Sequence, residues 1–380
     1  MKKNKKILYT FISSRSEYYP AKKLFLELKK NKNFKFKLLL SGSLLSKKFG
    51  NISSEIKKDG LSFEKILIKL PNKSISSLHL SMSEIIMKFS NFFKKKNIEY
   101  LLIIGDRYES FFVSLIAYTY QIKIIHISGG EITTGSMDNV HRNAISNLSL
   151  LHLTSLNQYK KQLINMGIDK NKIYNVGEIG LSYLDSNQIL SKKKIEDKIN
   201  FNFKKVNYLI TYHPNTKNFL NTFREFKTLL SALKKLKKTG LIFTYSNSDL
   251  GNSIVNVMIN KFVKKNKNAV VVKYLGDILY RSVLKNVNAV IGNSSSGIWE
   301  VPSYKIPTLN IGTRQNGRFK PKSIIDCKFE EKSILKKIKY IQFLNNRKKN
   351  LNFVNHYYKK DTIYKTNKLI SRFIKSNDNL

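Results

Sequence analysis

Short, continuous apolar runs that stop abruptly at Gly, Ser, Asp or His recur along this chain. KKILYTFI (5–12), KFKLLLSG (35–42), EYLLIIGD (99–106), IKIIHISGG (122–130), LLHLTS (150–155) and KIYNVG (172–177) form a first series. Between them lie segments with apolar residues at helical spacing, such as AKKLFLELKKN (21–31), ESFFVSLIAYTYQ and SLNQYKKQLINMG. A strand that is apolar on both faces must be covered on both, and alternation with helices supplies that cover, so the expected product is a parallel sheet between two helical layers. The same pattern resumes with VNYLITYHP (206–214), GLIFTYSN, NAVVVKYL, NAVIGNSSSG and PTLNIG, interleaved with helices expected over 219–238, 252–264 and 277–285.

Two series need two cores, and 380 residues exceed the size at which one core usually stops growing. We expect a Rossmann-like domain over 1–190 and a second over 191–355, with SKKKIEDKINFNFKK (191–205) as a polar, weakly structured hinge. The tail from about 331 reads as helical, and its last segment, 352–376, is expected as a C-terminal helix. The fold class is therefore α/β: two doubly wound domains facing a cleft, with ligands beyond the carboxyl ends of the strands.

The formal charge of +44, from 69 Lys and Arg against 25 Asp and Glu, taken alone points to nucleic acid or an anionic surface. Its distribution favours a solvated surface, because the Lys are scattered in KK and KKK steps along helical segments. Only nine of the 69 are Arg, and Arg15, Arg107, Arg142, Arg314 and Arg318 fall in or beside Gly/Ser/Asp-rich loops, where a planar fork can hold phosphate or carboxylate. The single cysteine, Cys327, excludes an intrachain disulfide framework and a cysteine-based zinc site, which fits a reducing cytoplasm. No run reaches the roughly 18 apolar residues of a membrane span, and the apolar stretch near the N-terminus is too short for a signal peptide. A cytoplasmic protein that neither enters a membrane nor works on nucleic acid is expected.

The residues with chemistry cluster at strand ends. Asp106 and Arg107 follow YLLII, His126, Ser128 and Glu131 close IKII, His213 closes YLITY, and Ser294, Ser295 and Ser296 follow AVI. Each has a plainer reading. Asp106 can cap the next helix; His126 can be a satisfied core imidazole; Glu131 can be a turn carboxylate, although the glycines before it allow the backbone to approach a ligand. Asp138 can cap its helix and pair with Arg142 four residues on, or Arg142 can face the cleft. His213 stands before Pro214 at a strand exit with little structural need for an imidazole. The SSSG run is expected to open a helix whose N–H groups and hydroxyls receive a phosphate, with Glu300 one turn in accepting two ribose hydroxyls. No GK[ST] follows, GxGxxG is absent, and the six His show neither HxxxH nor HExxH spacing, so neither a dinucleotide cofactor nor a metal is expected.

Taken together, GDRYE (105–109), HISGGEITTGSMDNVHRNAI (126–145), NVGEIG (175–180), TYHPNT (211–216), GNSSSGIWE (292–300) and NIGTRQNGR (310–318) resemble the UDP-N-acetylglucosamine 2-epimerase family, in its hydrolysing branch. That branch serves the synthesis of sialic-acid-type sugars, including legionaminic acid. The resemblance runs in order from residue 7 to about 320 and implies the two-domain fold of B-type glycosyltransferases, with a last helix crossing back to the first domain. It implies that Arg15, Arg107, His213, Ser294, Ser295, Ser296, Glu300 and Arg314 grip the nucleotide sugar. Asp106, Glu131 and Asp138 are then the active-site carboxylates, with His213 and Arg142 also in the catalytic set. The implied reaction eliminates UDP across C1 and C2 and hydrates the resulting glycal to N-acetylmannosamine, or acts likewise on a 2,4-diacetamido-2,4,6-trideoxy sugar. No cofactor and no metal enter that scheme, and a homo-oligomer is expected. Two departures stand out: Ser128 replaces the Glu of a related HIEGGE form, and Asn143 replaces a His. The base is then expected to be Glu131 or Asp138, with Asp106 or His213 next in line. A glycosyltransferase with the same nucleotide grip and a nucleic-acid-binding protein remain the other two classes.

Overall fold

The computed structural model describes residues 5–47, 51–71, 74–134, 136–185, 188–215, 219–246, 251–346 and 353–376. Gly135 and Thr216 of the motifs above, Asn247 of the GLIFTYSN run, the basic Met1–Asn4 and the first residue of the expected C-terminal helix, Asn352, lie outside them. The chain divides into two compact units. One comprises Met1–Ile132, Met137–Tyr183 and Tyr357–Leu380; the other comprises Thr133–Ser136 and Leu184–His356.

The first unit contains β1 (Ile7–Ile12), α1 (Arg15–Lys29), β2 (Lys35–Leu40), α2 (Ser53–Lys58), β3 (Phe63–Lys65), α3 (Ile75–Lys95) and β4 (Tyr100–Ile104). It continues with α4 (Tyr108–Thr119), β5 (Lys123–Ile127), α5 (Asp138–Asn147), β6 (Leu151–Thr154), α6 (Asn157–Asn165) and β7 (Ile173–Asn175). The seven strands pair in parallel in the order β3-β2-β1-β4-β5-β6-β7. Alternate strand residues face opposite layers. Leu8, Leu38, Leu102 and Ile125 pack with Tyr18, Leu24 and Phe25 of α1. Their neighbours Tyr9, Leu39, Leu101 and Ile124 pack with Ile85 and Phe89 of α3 and Val113 of α4.

The second unit holds α7 (Lys192–Ile199), β8 (Val206–Thr211), α8 (Thr222–Lys234), β9 (Thr239–Thr244), α9 (Asn252–Lys265) and β10 (Ala269–Val272). After these come α10 (Gly276–Leu284), β11 (Ala289–Gly292), α11 (Ser296–Trp299), β12 (Thr308–Ile311), β13 (Ile324–Cys327) and α12 (Glu331–Asn346). Its six parallel strands run β10-β9-β8-β11-β12-β13. Tyr208, Ile210 and Ile291 meet α8, α9 and α12 on one face, and Leu209, Ile242 and Val290 meet α7 and α10 on the other. The expected α/β fold of two doubly wound sheets is thus present.

Two local expectations differ from the structure. The Lys-rich 191–205 segment is not weakly structured over its first half. Ser191 accepts from the Lys194 N–H as N-cap, and Ile195 and Ile199, four residues apart, are buried in the second unit's core. The last helix, α13 (Thr362–Ser376), begins about ten residues later than the periodicity suggests. The preceding stretch is held by non-helical bonds: Glu178 N–H donates to the Tyr357 carbonyl (2.9 Å), and the Tyr159 and Tyr357 hydroxyls meet at 2.7 Å. The helix itself packs Ile370 and Ile374 into the α1 side of the first sheet, while Asn31 and Asn33 donate to Asn367 and Ser371.

In the second unit a glycine lets a strand end come close to its neighbour. Gly292, at φ +145°, lies against β8, and a Cβ there would overlap the Thr211 carbonyl oxygen. Neither party can move without breaking the β8–β11 ladder. Gly292→Ala is expected to cost about 2–4 kcal/mol, read as a lower urea midpoint with an unchanged slope.

Candidate functional site

In the first unit the polar groups lie at the carboxyl ends of β1, β4, β5 and β6. Arg15 opens α1 directly after β1. Glu17, two residues later, is buried and accepts from the Ser13 and Ser14 N–H groups (2.8 and 2.9 Å) and from the Ser13 hydroxyl (3.0 Å), tying the helix start to the strand end. Burial pushes its carboxyl up to about 7, against the pull of Arg107 and with the push of Glu109. Arg107 is the N-cap of α4, and its Nε and Nη2 reach both oxygens of the buried Glu109 at 3.1 and 3.2 Å. This fork is therefore charge-compensated within the protein.

Asp106, just before it, is partly exposed and forms an ion pair with Arg142. Arg142 rises from α5, is 1% exposed, and also donates from Nη1 to the Glu131 carbonyl at 2.7 Å. The fork of one buried guanidinium thus joins the end of β4, through an ion pair with Asp106, to the loop after β5. Asp138 is the first residue of α5, with Met137 as N-cap. Glu131 is buried, and one of its oxygens accepts from the Ser155 hydroxyl at 3.5 Å.

His126 is a core imidazole. Its Nε2 donates to the Gly105 carbonyl (2.8 Å) and its Nδ1 lies 3.0 Å from the Ser146 hydroxyl, from which it accepts in the neutral ring. Burial pushes it down to about 3. The glycines after it serve packing inside the unit: a Cβ on Gly129 would lie 2.8 Å from Ser146 Oγ and 2.9 Å from His126 Nδ1, and one on Gly130 would overlap the Tyr159 carbonyl. Ser128 sits in the left-handed region at φ +68°, a conformation that non-glycine residues seldom adopt.

The second unit gathers its groups around a residue that the motif reading passed over. Asn293 is buried; its side chain accepts from the His213 N–H and donates to the His213 carbonyl, both at 2.8 Å. Its own carbonyl accepts from Arg314 Nη1 (3.1 Å) and Gln315 Nε2 (2.8 Å). One asparagine therefore fixes the end of β8, the loop after β11 and the loop after β12. Its signal in the sequence is its place directly after the obligatory Gly292. His213 is buried, with Nδ1 3.3 Å from the Ser246 hydroxyl.

The Ser run does open a helix, but a short one. Ser295 is the N-cap of the four-residue α11, and Glu300 is its buried C-cap, continuing into a 3-10 turn over Val301–Tyr304. So few peptide units carry little of a helix dipole, and the Ser main chain and hydroxyls are the donors left to an anion. Ser294 and Ser296 hydroxyls lie 3.1 Å apart, and Tyr280 donates to Ser296 at 2.9 Å. Arg314 is partly exposed and pairs with no carboxylate among the described residues. Arg318 donates to Gln315. No group of three or more His, Cys, Asp or Glu among the described residues has the spacing of a metal site.

This chemistry finds close parallels among known proteins. The sequence model of the family described as UDP-N-acetylglucosamine 2-epimerase matches residues 26–371. A Campylobacter jejuni protein named GDP/UDP-N,N'-diacetylbacillosamine 2-epimerase (hydrolyzing) is 37% identical over 320 residues, 84% of this chain and 83% of that protein. The Escherichia coli polysialic acid biosynthesis protein P7 is 32% identical, over 98% of this chain and 95% of its own. In structure, the UDP-GlcNAc 2-epimerase of Neisseria meningitidis bound to UDP-GlcNAc superposes with a TM-score of 0.79 at 17% identity, covering 97% of this chain and all of that one. The fold is that of nucleotide-sugar enzymes of the B type. The chain belongs to the UDP-N-acetylglucosamine 2-epimerase family, and is an enzyme of that family. Among the described residues no helix is long and apolar enough to cross a membrane.

The depressed His126 sets a pH dependence. Its folded value lies below the ~6.5 of an unfolded histidine, so its contribution to stability is complete above about pH 6.5 and is lost as pH falls toward 3. In His126→Gln, urea midpoints are expected to lose that part of their decline between pH 6.5 and 4, whatever the variant's stability at pH 8.

Proposed function

We propose that this enzyme is a hydrolysing 2-epimerase of a UDP-2-acetamido sugar. The observation that carries the reading is the polar constellation at the strand carboxyl ends of both sheets, on a chain matched over residues 26–371 by the epimerase family. In the reaction a carboxylate takes the C2 proton while the C1–O bond breaks and UDP leaves with the bonding pair. Water then adds to C1 of the glycal and a proton to C2 from the other face, so one water is consumed for each UDP released.

Each unit has groups for one half of that demand. Arg314, together with the Ser294–Ser296 donors, suits the departing diphosphate, whose growing charge donors of this kind stabilise. His213 and Glu300 complete the grip in the second unit; in the first, Arg15 and Arg107 are the expected phosphate partners, and Arg107 would reach a phosphate only by sharing its fork with Glu109. The first unit provides Asp106, Glu131 and Asp138. Glu131 and Asp138 compete for the role of base, because Ser128 carries no carboxylate. Arg142, tied to Asp106 and to the Glu131 carbonyl, holds these groups in place and lowers the cost of a negative charge beside it. Asp106, already paired, suits a hydroxyl of the sugar better than proton abstraction.

The sugar is read in two ways. UDP-N-acetylglucosamine, giving N-acetylmannosamine, follows from the motif resemblance. UDP-N,N'-diacetylbacillosamine has the support of the 37% identical relative. A glycosyltransferase would use the same nucleotide grip but transfer the sugar to an acceptor instead of to water.

Incubation with each UDP-sugar in deuterated water, followed by NMR, separates these readings. Free UDP and a free 2-epimerised sugar carrying deuterium at C2 are expected from one of the two. An intact epimerised UDP-sugar, or product without deuterium, overturns the proposal.

A variant series divides the roles. Arg314→Ala is expected to weaken UDP binding by about 1.5–3 kcal/mol, the worth of charge-assisted hydrogen bonds, with little change in melting temperature. The amide of the true base, Glu131→Gln or Asp138→Asn, is expected to lower turnover about 100-fold or more while UDP still binds. Near-normal turnover in both would return the assignment to Asp106 or His213.

A further inference from the structure

Outside the groups discussed so far, the first unit contains a cavity of about 440 Å³ where α6, the end of β7 and α13 meet. Five of its ten lining residues are cations: Lys160, Lys359, Lys365, Lys368 and Arg372. With 69 of 380 residues Lys or Arg, ten residues at that rate would bring about two, and no carboxylate lines this cavity at all. Lys365, Lys368 and Arg372 are spaced three and four apart, so they form one stripe of α13. Lys160 comes from the first turn of α6.

The remaining cation is built in. Lys359 is half-buried and its Nζ donates to the Asn175 carbonyl at 3.1 Å. The base of its side chain lies close to Gly177, at φ +90°: a Cβ there would come 2.8 Å from the Lys359 Cβ. Thr362 clamps the same segment by donating to the Val176 carbonyl at 2.9 Å. The Lys359 ammonium is pushed below the usual lysine range by burial and, to a lesser degree, by nearby Lys365. Among the described residues none of the five forms an ion pair, whereas Lys22, Lys88 and Lys320 elsewhere do.

We propose that this cavity is a second anion site, taking a compact small molecule with two or more phosphate groups, independent of the residues assigned to catalysis. Cations converging from two helices and a fixed turn on one hollow favour a compact ligand. An extended nucleic acid would call for a continuous basic track with several stacking aromatics, and Tyr174 is the one aromatic residue lining the cavity. Val176 and Leu369 give the lining an apolar part beside the cations.

The test is calorimetric titration of the full chain with inorganic pyrophosphate at physiological ionic strength, with saturating UDP present throughout. The exposed pair Lys368→Glu/Arg372→Glu is compared with a charge-matched control on α12, Lys332→Glu/Lys336→Glu, also exposed. Binding that persists with UDP and weakens at least tenfold in the first variant but less than twofold in the control is the expected result. Absence of binding, an unaffected first variant, or an equal loss in the control overturns the proposal. So does binding of single-stranded RNA or anionic vesicles through the same residues without binding of pyrophosphate.

Discussion

The first unit is organised around a guanidinium that is almost wholly removed from water. Burying a charge costs several kcal/mol unless partners replace its hydration, and removing one partner of such a pair is strongly destabilising. Arg142 meets that demand with the Asp106 carboxylate and the Glu131 carbonyl, which come from the ends of two adjacent strands. The loop after β5 therefore cannot drift from the end of β4 without stranding a buried charge. The neutral His126, bonded to Gly105 on one side and to Ser146 of α5 on the other, closes the same circuit from below. Rigidity of this kind is what positioning a carboxylate for proton transfer would require.

Much of the fold was legible because doubly wound strands leave an unambiguous trace. β1, β4, β5, β8, β9 and β11 are buried along nearly their whole length, and buried parallel strands read as uninterrupted apolar runs. What escaped had weaker traces for identifiable reasons. The 21-residue α3 buries Ser81, Ile85, Phe89 and Phe93, a stripe one residue wide, while Ile75, Leu80, Ile86 and Met87 are exposed and blur the period. β3 is three residues with two charges, and β13 carries an Asp in its middle. The expected helix start at 352 failed because Tyr357 looks apolar and periodic, yet its hydroxyl and carbonyl are bonded outside any helix.

The site was legible as a set of positions and illegible as a set of partners. Motifs place Asp106, Glu131, His213 and the Ser run at or just beyond strand ends and Asp138 at a helix start, and the structure has them there. Spacing could suggest for Arg142 a partner on its own helix, but not Asp106, which pairs with it from 36 residues away in sequence and is brought near because β4 lies beside β5. Arg107 shows the opposite: a loop arginine that looked free for phosphate is held by a carboxylate two residues on. Net charge was the least informative number of all. Much of the +44 sits on exposed helix faces, and Arg314, unlike Arg107 and Arg142, has no carboxylate paired with it among the described residues.

The second unit reaches that state through a neutral hub. Asn293 must donate to the His213 carbonyl and accept from the His213 N–H, so it needs both halves of an amide. An aspartate would keep the accepted bond, lose the donated one, and leave a carbonyl unsatisfied in a buried setting, at a cost of about 1–3 kcal/mol. It would also put a negative charge where Arg314 already rests on the Asn293 carbonyl, at 3.1 Å. A carboxylate there would attract the guanidinium inward and cancel the field that an anionic ligand would feel. The amide fixes the arginine's position through a carbonyl dipole and leaves its charge whole. The two units thus treat arginine in opposite ways: Arg142 is neutralised by a carboxylate and buried to hold strands together, and Arg314 is anchored without neutralisation and left partly in water. Under the proposed reading, that difference is what separates a positioning cation from one that stabilises a departing diphosphate.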